Sequence, residues 1–284
     1  MKNHYSIGIL FADLAKSGLT HDYFAGILDS FKRAIEANGH NTCFLNCNKG
    51  AKNRKTCLEQ AEMLHLDGIL ISCIEYDDPE VQELLNSNFP LITIDEEIDS
   101  VMSIQSDNTE GIKNLVHYIA EMGHRKIAYI VGDNTTVTSI RLKGFLDTCK
   151  EMGITIPNSY IRYSKYRDMD KASYETEQLL RLSDPPTCIL YSDDYAAIGG
   201  SNVLRARGLD IPKDISVAGY DGIRILSKYE PRLTTIRQNL EEIGLQAANQ
   251  LIKHIQHPDE PTISPIVVET VLENGRTVGQ VYYQ

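Results

Sequence analysis

The chain has 284 residues, of which 42% are hydrophobic, and it carries a formal net charge of −11 at pH 7. This length is sufficient for one large domain or for two small ones. The acidic balance argues against direct binding to nucleic acid or to an anionic membrane surface, since both require a surface rich in Lys and Arg. No run approaches the ~20 apolar residues of a membrane-spanning helix.

The start of the chain and its cysteines indicate where the protein acts. A polar start is followed by an apolar run that is too short for a secretory signal. Cys73 and Cys188 lie within apolar runs, where thiols usually serve as small core side chains in a reducing compartment. Cys43, Cys47 and Cys57 lack the paired close spacing of a zinc site. We therefore expect a cytoplasmic protein without a metal.

Strand and helix signals alternate along the whole chain. In the first half, the predicted strands are residues 7–11, 42–46, 68–72, 90–95 and 102–105. The predicted helices of this half are residues 23–38, 52–66, 79–87 and 109–122. The second half repeats the pattern, with strands at 126–132, 160–163, around 189, around 215, 266–272 and 278–283. Its predicted helices are residues 140–152, 171–182, 195–207 and 240–255.

Strands that alternate with helices predict βαβ units and parallel sheets. The strands are too many for one compact sheet, and they divide near residues 103–106. We therefore predict an α/β protein made of two doubly wound parallel-sheet lobes, with a ligand cleft between them. The predicted N-terminal lobe comprises residues 1–104 and 239–268, and the C-terminal lobe comprises residues 105–238 and 269–284.

Acidic residues stand where two predicted strands end. The apolar run 187–191 leads into a helix, with Asp193 and Asp194 at the joint. We expect Asp194 to cap the helix and Asp193 to remain at the carboxyl end of the strand. The run 215–220 likewise ends in Asp221. Because ligands of open parallel sheets bind beyond the carboxyl ends of the strands, these acids predict a ligand site.

Eight short motifs follow one another along nearly the whole chain. They are YFAGI (23–27), DGILI (67–71), DNTEG (107–111), MGHRKIA (122–128), RLKGF (141–145), SDDYAAIG (192–199), ISVAGYD (215–221) and PRLTTIRQ (231–238). In this order they resemble the effector-binding core of the lactose-repressor/galactose-repressor (LacI/GalR) family of bacterial regulators, and more broadly periplasmic sugar-binding proteins. The resemblance implies a type I periplasmic-binding-protein fold with a sugar or a similar small molecule between the lobes.

The resemblance also carries expectations about partners. Members of the family have an N-terminal helix-turn-helix domain and a hinge helix, and they bind operator DNA as homodimers. Met1 falls where the effector core would begin, so we expect operator DNA to be bound only through a domain that these residues do not contain. Residues 15–20 look inserted relative to the family pattern, and His21-Asp22 stands where Asn-Pro is frequent. Many members have Asn in place of Asp193, and the change removes a hydrogen-bond donor.

Five polar residues are predicted to bind the ligand. Asp193 and Asp221 offer carboxylates to ligand hydroxyls; the alternative is a helix cap or a turn acid. Arg141, at the position of the family's ligand arginine, offers a two-pronged donor; the alternative is an exposed helix arginine. Gln238 follows a crossover segment and Asp13 ends the first strand, so both are placed to face the same crevice.

Tyr23 and Phe24 are the predicted aromatic contacts. Adjacent helical residues point in different directions, so one should face the ligand and the other the core. The resemblance favours Phe24 as the residue that stacks on a sugar ring; the alternative is that Phe24 belongs to the core. Tyr166 and Asp95 are weaker candidates at the rim of the pocket.

No phosphate-binding loop, dinucleotide-binding glycine motif or nucleophile elbow is present in the sequence, so we predict no cofactor and no catalytic residue. The leading hypothesis is the ligand-sensing core of a LacI-family transcriptional regulator. The alternatives are a solute-binding protein for sugar uptake and a sugar-processing enzyme whose strand-end acids act as a hydrolase pair. We expect Arg141→Ala and Asp221→Ala to abolish ligand binding and to leave the melting temperature of the ligand-free protein nearly unchanged.

Overall fold

The computed structural model describes residues 4–12, 18–47, 52–224, 230–260 and 265–281. Its strands are β1 (Ser6–Phe11), β2 (Asn41–Phe44), β3 (Gly68–Ser72), β4 (Leu91–Ile94), β5 (Met102–Ser106), β6 (Ile127–Val131), β7 (Ile161–Tyr163), β8 (Cys188–Tyr191), β9 (Ser216–Ala218), β10 (Thr235–Arg237), β11 (Ile266–Val268) and β12 (Val271–Glu273). Its α-helices are α1 (Asp22–Ala37), α2 (Cys57–Met63), α3 (Pro79–Leu85), α4 (Asn108–Glu121), α5 (Thr136–Glu151), α6 (Met169–Leu180), α7 (Asp194–Ala206) and α8 (Leu240–Gln256).

The chain forms two compact units. Unit 1 comprises Met1–Ser106 and Asn239–Val268, and unit 2 comprises Asp107–Gln238 and Glu269–Gln284. The first division thus falls two residues after the one predicted at residue 104. The predicted α/β class with parallel sheets is confirmed in both units.

Unit 1 contains a six-stranded sheet in the order β11-β5-β4-β3-β1-β2, and all of its strand pairs are parallel. Both faces of this sheet are covered. Ile7, Ile9 and Leu70 pack with apolar residues of α1 and α8 on one face. Ile69 and Ile71 pack with residues of α2 and α3 on the other. Burial on both faces explains why β3 is a continuous apolar run instead of an alternating one.

Unit 2 contains a four-stranded parallel sheet in the order β7-β6-β8-β9. Side chains of β6 alternate between its two faces. Tyr129 packs with residues of α4 and α5, whereas Ile130 packs with residues of α6 and α7. The strands are parallel, so the segments that follow β6, β7, β8 and β9 leave the sheet at one edge, and this carboxyl edge carries most of the predicted ligand residues.

The end of the chain differs from the prediction. The predicted strand 266–272 is two short strands, because β11 pairs in parallel with β5 in unit 1 and β12 pairs antiparallel with β10 in unit 2. Strand β10 was not predicted. No strand is described within residues 278–281, and the rest of the predicted strand 278–283 lies outside the described residues.

Helix α2 is shorter than predicted, because the chain enters it only at a capping box. The Thr56 side chain accepts a hydrogen bond from the Glu59 N–H, and the Glu59 carboxylate accepts one from the Thr56 N–H. The helix therefore begins at Cys57 instead of residue 52. None of the helices in the described part of the chain is both long and apolar enough to cross a membrane.

Candidate ligand-binding site in unit 2

Arg141, on α5, is the centre of the predicted ligand residues in unit 2. Its side chain is buried, with 3% of the residue exposed. The Nε atom donates to Oδ1 of Asn108 at 2.8 Å, and Nη1 donates to the carbonyl of Ser192 at 3.3 Å. Nη2 lies 4.0 Å from Oδ1 of Asp221, which is an ion-pair distance that leaves no direct hydrogen bond. A buried guanidinium thus retains open donor capacity towards a carboxylate.

The ring of Tyr220 stacks on the same guanidinium. The Arg141 Cζ atom lies 3.6 Å from the ring centroid, a cation–π geometry. Burial by itself lowers the pKa of Arg141, but Tyr220, Tyr166 and Asp221 outweigh this and raise the pKa above its usual value. Arg141 is therefore a permanent buried cation. The buried hydroxyl of Tyr220 has no hydrogen-bond partner among the described residues.

Asp221 is held by the residues around it in an uncommon backbone conformation. Its φ angle is +105°, which few residues other than Gly adopt. Its N–H donates to the carbonyl of Ile236 at 2.8 Å, and the Gln238 N–H donates to the Asp221 carbonyl at 3.3 Å. The Gln238 side chain also donates to Oδ1 of Asp221 at 2.7 Å. These contacts fix the carboxylate beside Arg141.

Gln238 is itself buried, with 4% of the residue exposed. Its amide nitrogen is used by Asp221, but its Oε1 atom has no hydrogen-bond partner among the described residues. A buried polar atom without a partner is costly, so it commonly marks a place that a water or a ligand fills. The structure therefore brings three of the predicted residues together, namely Arg141, Asp221 and Gln238.

The N-cap residue predicted for α7 is wrong. Asp193, not Asp194, is the N-cap residue, since it has extended backbone angles and its Oδ1 accepts from the Ala196 N–H at 2.9 Å. Its Oδ2 accepts from the Arg167 N–H and from the Ser192 hydroxyl. The helix begins one residue earlier than predicted, and the cap moves with it. The Asp193 carboxylate is fully buried and occupied by donors of the protein.

Asp194 bonds a different set of residues from Asp193. Its Oδ1 accepts from the Thr235 hydroxyl at 2.6 Å and its Oδ2 accepts from the Ile223 N–H at 2.8 Å. Burial, and next the charge of Asp221, raise the pKa of Asp194 well above its usual range. Asp194 therefore links the start of β10 to the segment after β9 and is not a cap.

Tyr166 contributes to this edge more than its sequence position indicates. Its ring lies over Gly132, where an added Cβ would stand 2.7 Å from a ring carbon. Its hydroxyl shares a hydrogen bond of 2.8 Å with Thr138, and its N–H donates to Asp133. Its charged neighbours include Arg141, so it lies near the buried cation. A loop residue without periodic neighbours carries little signal in the sequence, and the glycine that follows β6 is the feature that accommodates it.

The remaining predicted residues belong to unit 1. Tyr23 is buried and its hydroxyl donates to Oδ1 of Asp95 at 2.9 Å, so it serves the core. Phe24 is only partly buried and its ring lies 4.9 Å from that of His21 and 5.7 Å from that of Phe11. Asp13 lies outside the described residues.

Comparison with known proteins places these features in a family. A model of the periplasmic binding protein-like domain matches residues 116–278. The probable HTH-type transcriptional repressor ExuR of Bacillus subtilis (strain 168) is 30% identical over 278 residues, which cover 96% of this chain and 79% of that protein. A crystal structure of a LacI-family regulatory protein from Chloroflexus aggregans is 25% identical, with a TM-score of 0.85 and coverage of 96% of this chain and 98% of that one.

A second solved structure shows likeness of fold alone. It is a LacI-family transcriptional regulator from Enterococcus faecium with bound ribose, 22% identical, with a TM-score of 0.80 and coverage of 98% of this chain and 100% of that one. Together, the family model and the repressor relative show that this chain belongs to the periplasmic binding protein-like family, among the LacI-family transcriptional regulators, as their effector-binding domain.

Proposed function

We propose that this effector-binding domain recognises a polyhydroxylated small molecule, a sugar or a sugar-like compound, at the carboxyl edge of the unit 2 sheet. The observation that carries the proposal is the pair Arg141 and Asp221, whose Nη2 and Oδ1 atoms lie 4.0 Å apart. Two hydrogen bonds of about 2.8 Å span such a gap when one hydroxyl oxygen lies between the two groups. A hydroxyl accepts from the guanidinium and donates to the carboxylate at the same time.

The buried Oε1 atom of Gln238 adds a place for a second hydroxyl of the ligand. Oε1 of Gln238 needs a donor, and it lies on the residue that bonds Asp221. An ionised carboxylate or phosphate offers only acceptors, so it has no donor for Oδ1 of Asp221 or for Oε1 of Gln238. Adjacent hydroxyls offer both donors and acceptors. The ring of Tyr166 adds an aromatic face that suits the apolar side of a sugar ring. These groups favour a ligand with neighbouring hydroxyls.

Of the other predicted contacts, Phe24 and Asp13 remain part of the proposal, and Asp193 and Tyr23 do not. Asp193 already accepts hydrogen bonds from the protein, and Tyr23 donates to Asp95, so neither is needed for the ligand. Phe24 keeps part of its ring exposed and remains the better stacking candidate of unit 1. Asp13 stays a prediction from its position after the first strand.

For the whole regulator, we propose that the ligand alters the binding of operator DNA without being chemically changed, in a cytoplasmic homodimer. Support comes from the repressor relative and from the ribose found in one structural neighbour. Neither comparison favours a solute-binding protein for uptake. Sedimentation velocity over a concentration series tests the dimer, and a monomer at every concentration would contradict it.

The experiment that tests ligand recognition is a thermal-shift screen. The panel contains D-ribose, D-xylose, D-glucose, D-galactose, cellobiose, glucose 6-phosphate, D-galacturonate, adenosine and adenine. Binding to the folded state raises the melting temperature by mass action, so a ligand at ~100 Kd adds about 2.7 kcal/mol of stability. We expect a rise with at least one neutral sugar. A rise confined to the nucleobase, or no rise at all, would overturn the proposal.

A pair of isosteric variants makes the screen specific to this edge. Asp221→Asn should abolish the shift, because it removes the charge while an Asn tolerates the positive φ angle. Asp147→Asn is the matched control, since Asp147 lies on α5 like Arg141 but is exposed and pairs with the exposed Lys143. The control should bind as the wild type does. Equal shifts in both variants would place the ligand elsewhere.

A further inference from the structure

Each of the two charged groups of the proposed site, Arg141 and Asp221, is bonded to a side-chain amide that lies where the chain passes from one unit to the other. The chain makes this passage three times, after Ser106, after Gln238 and after Val268. At each passage, the backbone belongs to unit 1 on one side and to unit 2 on the other. A change at a unit 2 side chain that is bonded to a residue of a passage can therefore affect backbone that continues into unit 1.

The first passage is linked to Arg141. Asn108 is the second residue of unit 2 and the first residue of α4, whose N-cap is Asp107. The Oδ1 atom of Asn108 accepts from Nε of Arg141 at 2.8 Å, and Asn108 is buried. When the guanidinium moves, the start of α4 is expected to move with it. Breaking the hydrogen bond between the two would be costly, because both groups are buried.

The second passage is linked to Asp221. Gln238 is the last residue of this segment of unit 2, and it bonds Asp221 through both its side chain and its backbone. The next residue, Asn239, is the N-cap of α8 in unit 1, where its Oδ1 accepts from the Glu242 N–H. One peptide bond thus separates the residue that holds the ligand acid from the cap of a unit 1 helix.

The third passage has no such link. Within the part of the chain that the structure describes, neither Val268 nor Glu269 bonds Arg141 or Asp221. Val268 continues the sheet of unit 1 beside Ser106, and Glu269 is exposed. The third passage is therefore the internal control for the first and second passages.

We infer that Asn108 and Gln238 are positioning residues that transmit occupancy of the Arg141–Asp221 pair to the first and second chain passages. The inference rests on the proposed ligand site. A hydroxyl that bonds both Arg141 and Asp221 fixes the two groups against each other. Arg141 is bonded to Asn108 and Asp221 is bonded to Gln238, so the two buried amides are fixed as well. The first turns of α4 and α8 then unfold locally less often.

Hydrogen exchange measured by mass spectrometry tests the inference. The variants are Gln238→Met and Asn108→Leu, which keep side-chain size and remove the amides, with Glu269→Gln as the control at the third passage. Gln238→Glu and Asn108→Ala replace any variant that fails to fold. Each protein is measured without ligand and with a saturating amount of the panel sugar that gives the largest thermal shift.

In the wild type, we expect the sugar to slow exchange about 5-fold or more in peptides covering 104–112 and 234–242, and not in 266–272. At saturation, Gln238→Met should lose the effect at 234–242 but keep it at 104–112, and Asn108→Leu should show the reverse. Glu269→Gln should behave as the wild type. Protection that persists at both passages in the variants, or that spreads equally to 266–272, would overturn the inference.

A ligand-free comparison separates this inference from the proposed function. If no sugar of the panel binds, the proposed function fails, and the links are tested by changing the ligand groups themselves. Arg141→Met should then speed exchange at 104–112, and Asp221→Ala should speed it at 234–242, with 266–272 unchanged. Exchange that stays at the wild-type rate at both passages would overturn the links even where a sugar does bind.

Discussion

The guanidinium of Arg141 lies 3.6 Å from the ring centroid of Tyr220, the residue that directly precedes Asp221. The stacking joins α5 to the segment that follows β9, so the cation and the acid of the proposed site are built by one contact between two distant parts of the chain. Removal of one partner of such a buried contact is costly, because the other charge then stays buried without a counter-charge.

Removal of Arg141 should therefore destabilise the ligand-free protein, in contrast to what the sequence alone predicts. Arg141→Ala removes a donor to Oδ1 of Asn108 and removes the buried positive charge beside Asp221. We expect the free energy of unfolding to fall by about 3 kcal/mol or more, because removal of one partner of a buried ion pair leaves the other charge buried and uncompensated. Urea denaturation checks this. A fall below about 0.5 kcal/mol, the size of an ordinary surface substitution, would show that the contacts are dispensable.

The backbone at Asp221 should discriminate between substitutions of similar size. Asp221→Asn retains a side chain that tolerates φ = +105°, whereas Asp221→Val places a β-branched residue in the same conformation. We expect both variants to lose ligand binding, and Asp221→Val to be less stable than Asp221→Asn by about 1–3 kcal/mol from backbone strain. Parallel thermal and urea unfolding measures the difference. Equal stability would mean that the segment relaxes to a negative φ.

Tyr166 should contribute to ligand affinity through its ring and not through its hydroxyl. The hydroxyl is used by Thr138, and the ring lies over Gly132 at the edge of the sheet. We expect Tyr166→Ala to raise the Kd about 10-fold, the upper value for an aromatic contact, and Tyr166→Phe to leave it within about 2-fold. Titration calorimetry with the panel sugar decides between them. A large loss in Tyr166→Phe would assign the effect to the hydroxyl.

Gly132→Ala offers an independent check on the same ring. The new Cβ would press on the Tyr166 ring, so the variant should weaken ligand binding in the same direction as Tyr166→Ala.

His124 should make the protein less stable in mild acid. Its ring nitrogens bond the Thr187 hydroxyl and the Gly279 carbonyl, and burial lowers the pKa of His124 to about 4. Below the unfolded value of about 6.5, the unfolded chain binds a proton at this residue that the folded chain does not, so stability is lost as the pH falls from about 6.5 towards 4. The loss from this residue alone is roughly 2 kcal/mol between pH 7 and pH 5.

Urea unfolding of the wild type and of His124→Gln at both pH values isolates the effect. Buried acids with raised pKa values, such as Asp194, act in the opposite direction, and the comparison cancels their contribution because both proteins share them. The wild type should lose more stability than the variant on acidification. An identical loss in the two proteins would mean that His124 becomes charged in the folded state without penalty.

Much of the architecture follows from local patterns. Apolar runs such as β3 and β6 are long enough for buried strands and too short for helices, and the helices between them have apolar residues at helical spacing. The alternation leads to the α/β class without any knowledge of which strands pair. Arg141, Asp221 and Gln238, which the structure brings together, are candidates from the sequence because strand ends and family motifs are visible along the chain.

Local sequence patterns do not determine which residue is the N-cap of α7. Asp193 and Asp194 are adjacent and chemically identical, so composition cannot say which one caps the helix. The extended backbone at Asp193 and the hydrogen bonds of Asp194 to Thr235 and Ile223 decide it. These partners are 41 and 29 residues away, and no local preference encodes them.

The sequence by itself thus determined most of the order of strands and helices and the presence of acids at the ends of strands, because these depend on residue spacing and on strand and helix propensity. Tertiary structure alone decided that Tyr220 stacks on Arg141, that Asn108 bonds Arg141 and Gln238 bonds Asp221, and that β10 pairs with β12. Such contacts join segments tens of residues apart. Their free energy depends on burial and hydrogen bonding that only the folded chain creates.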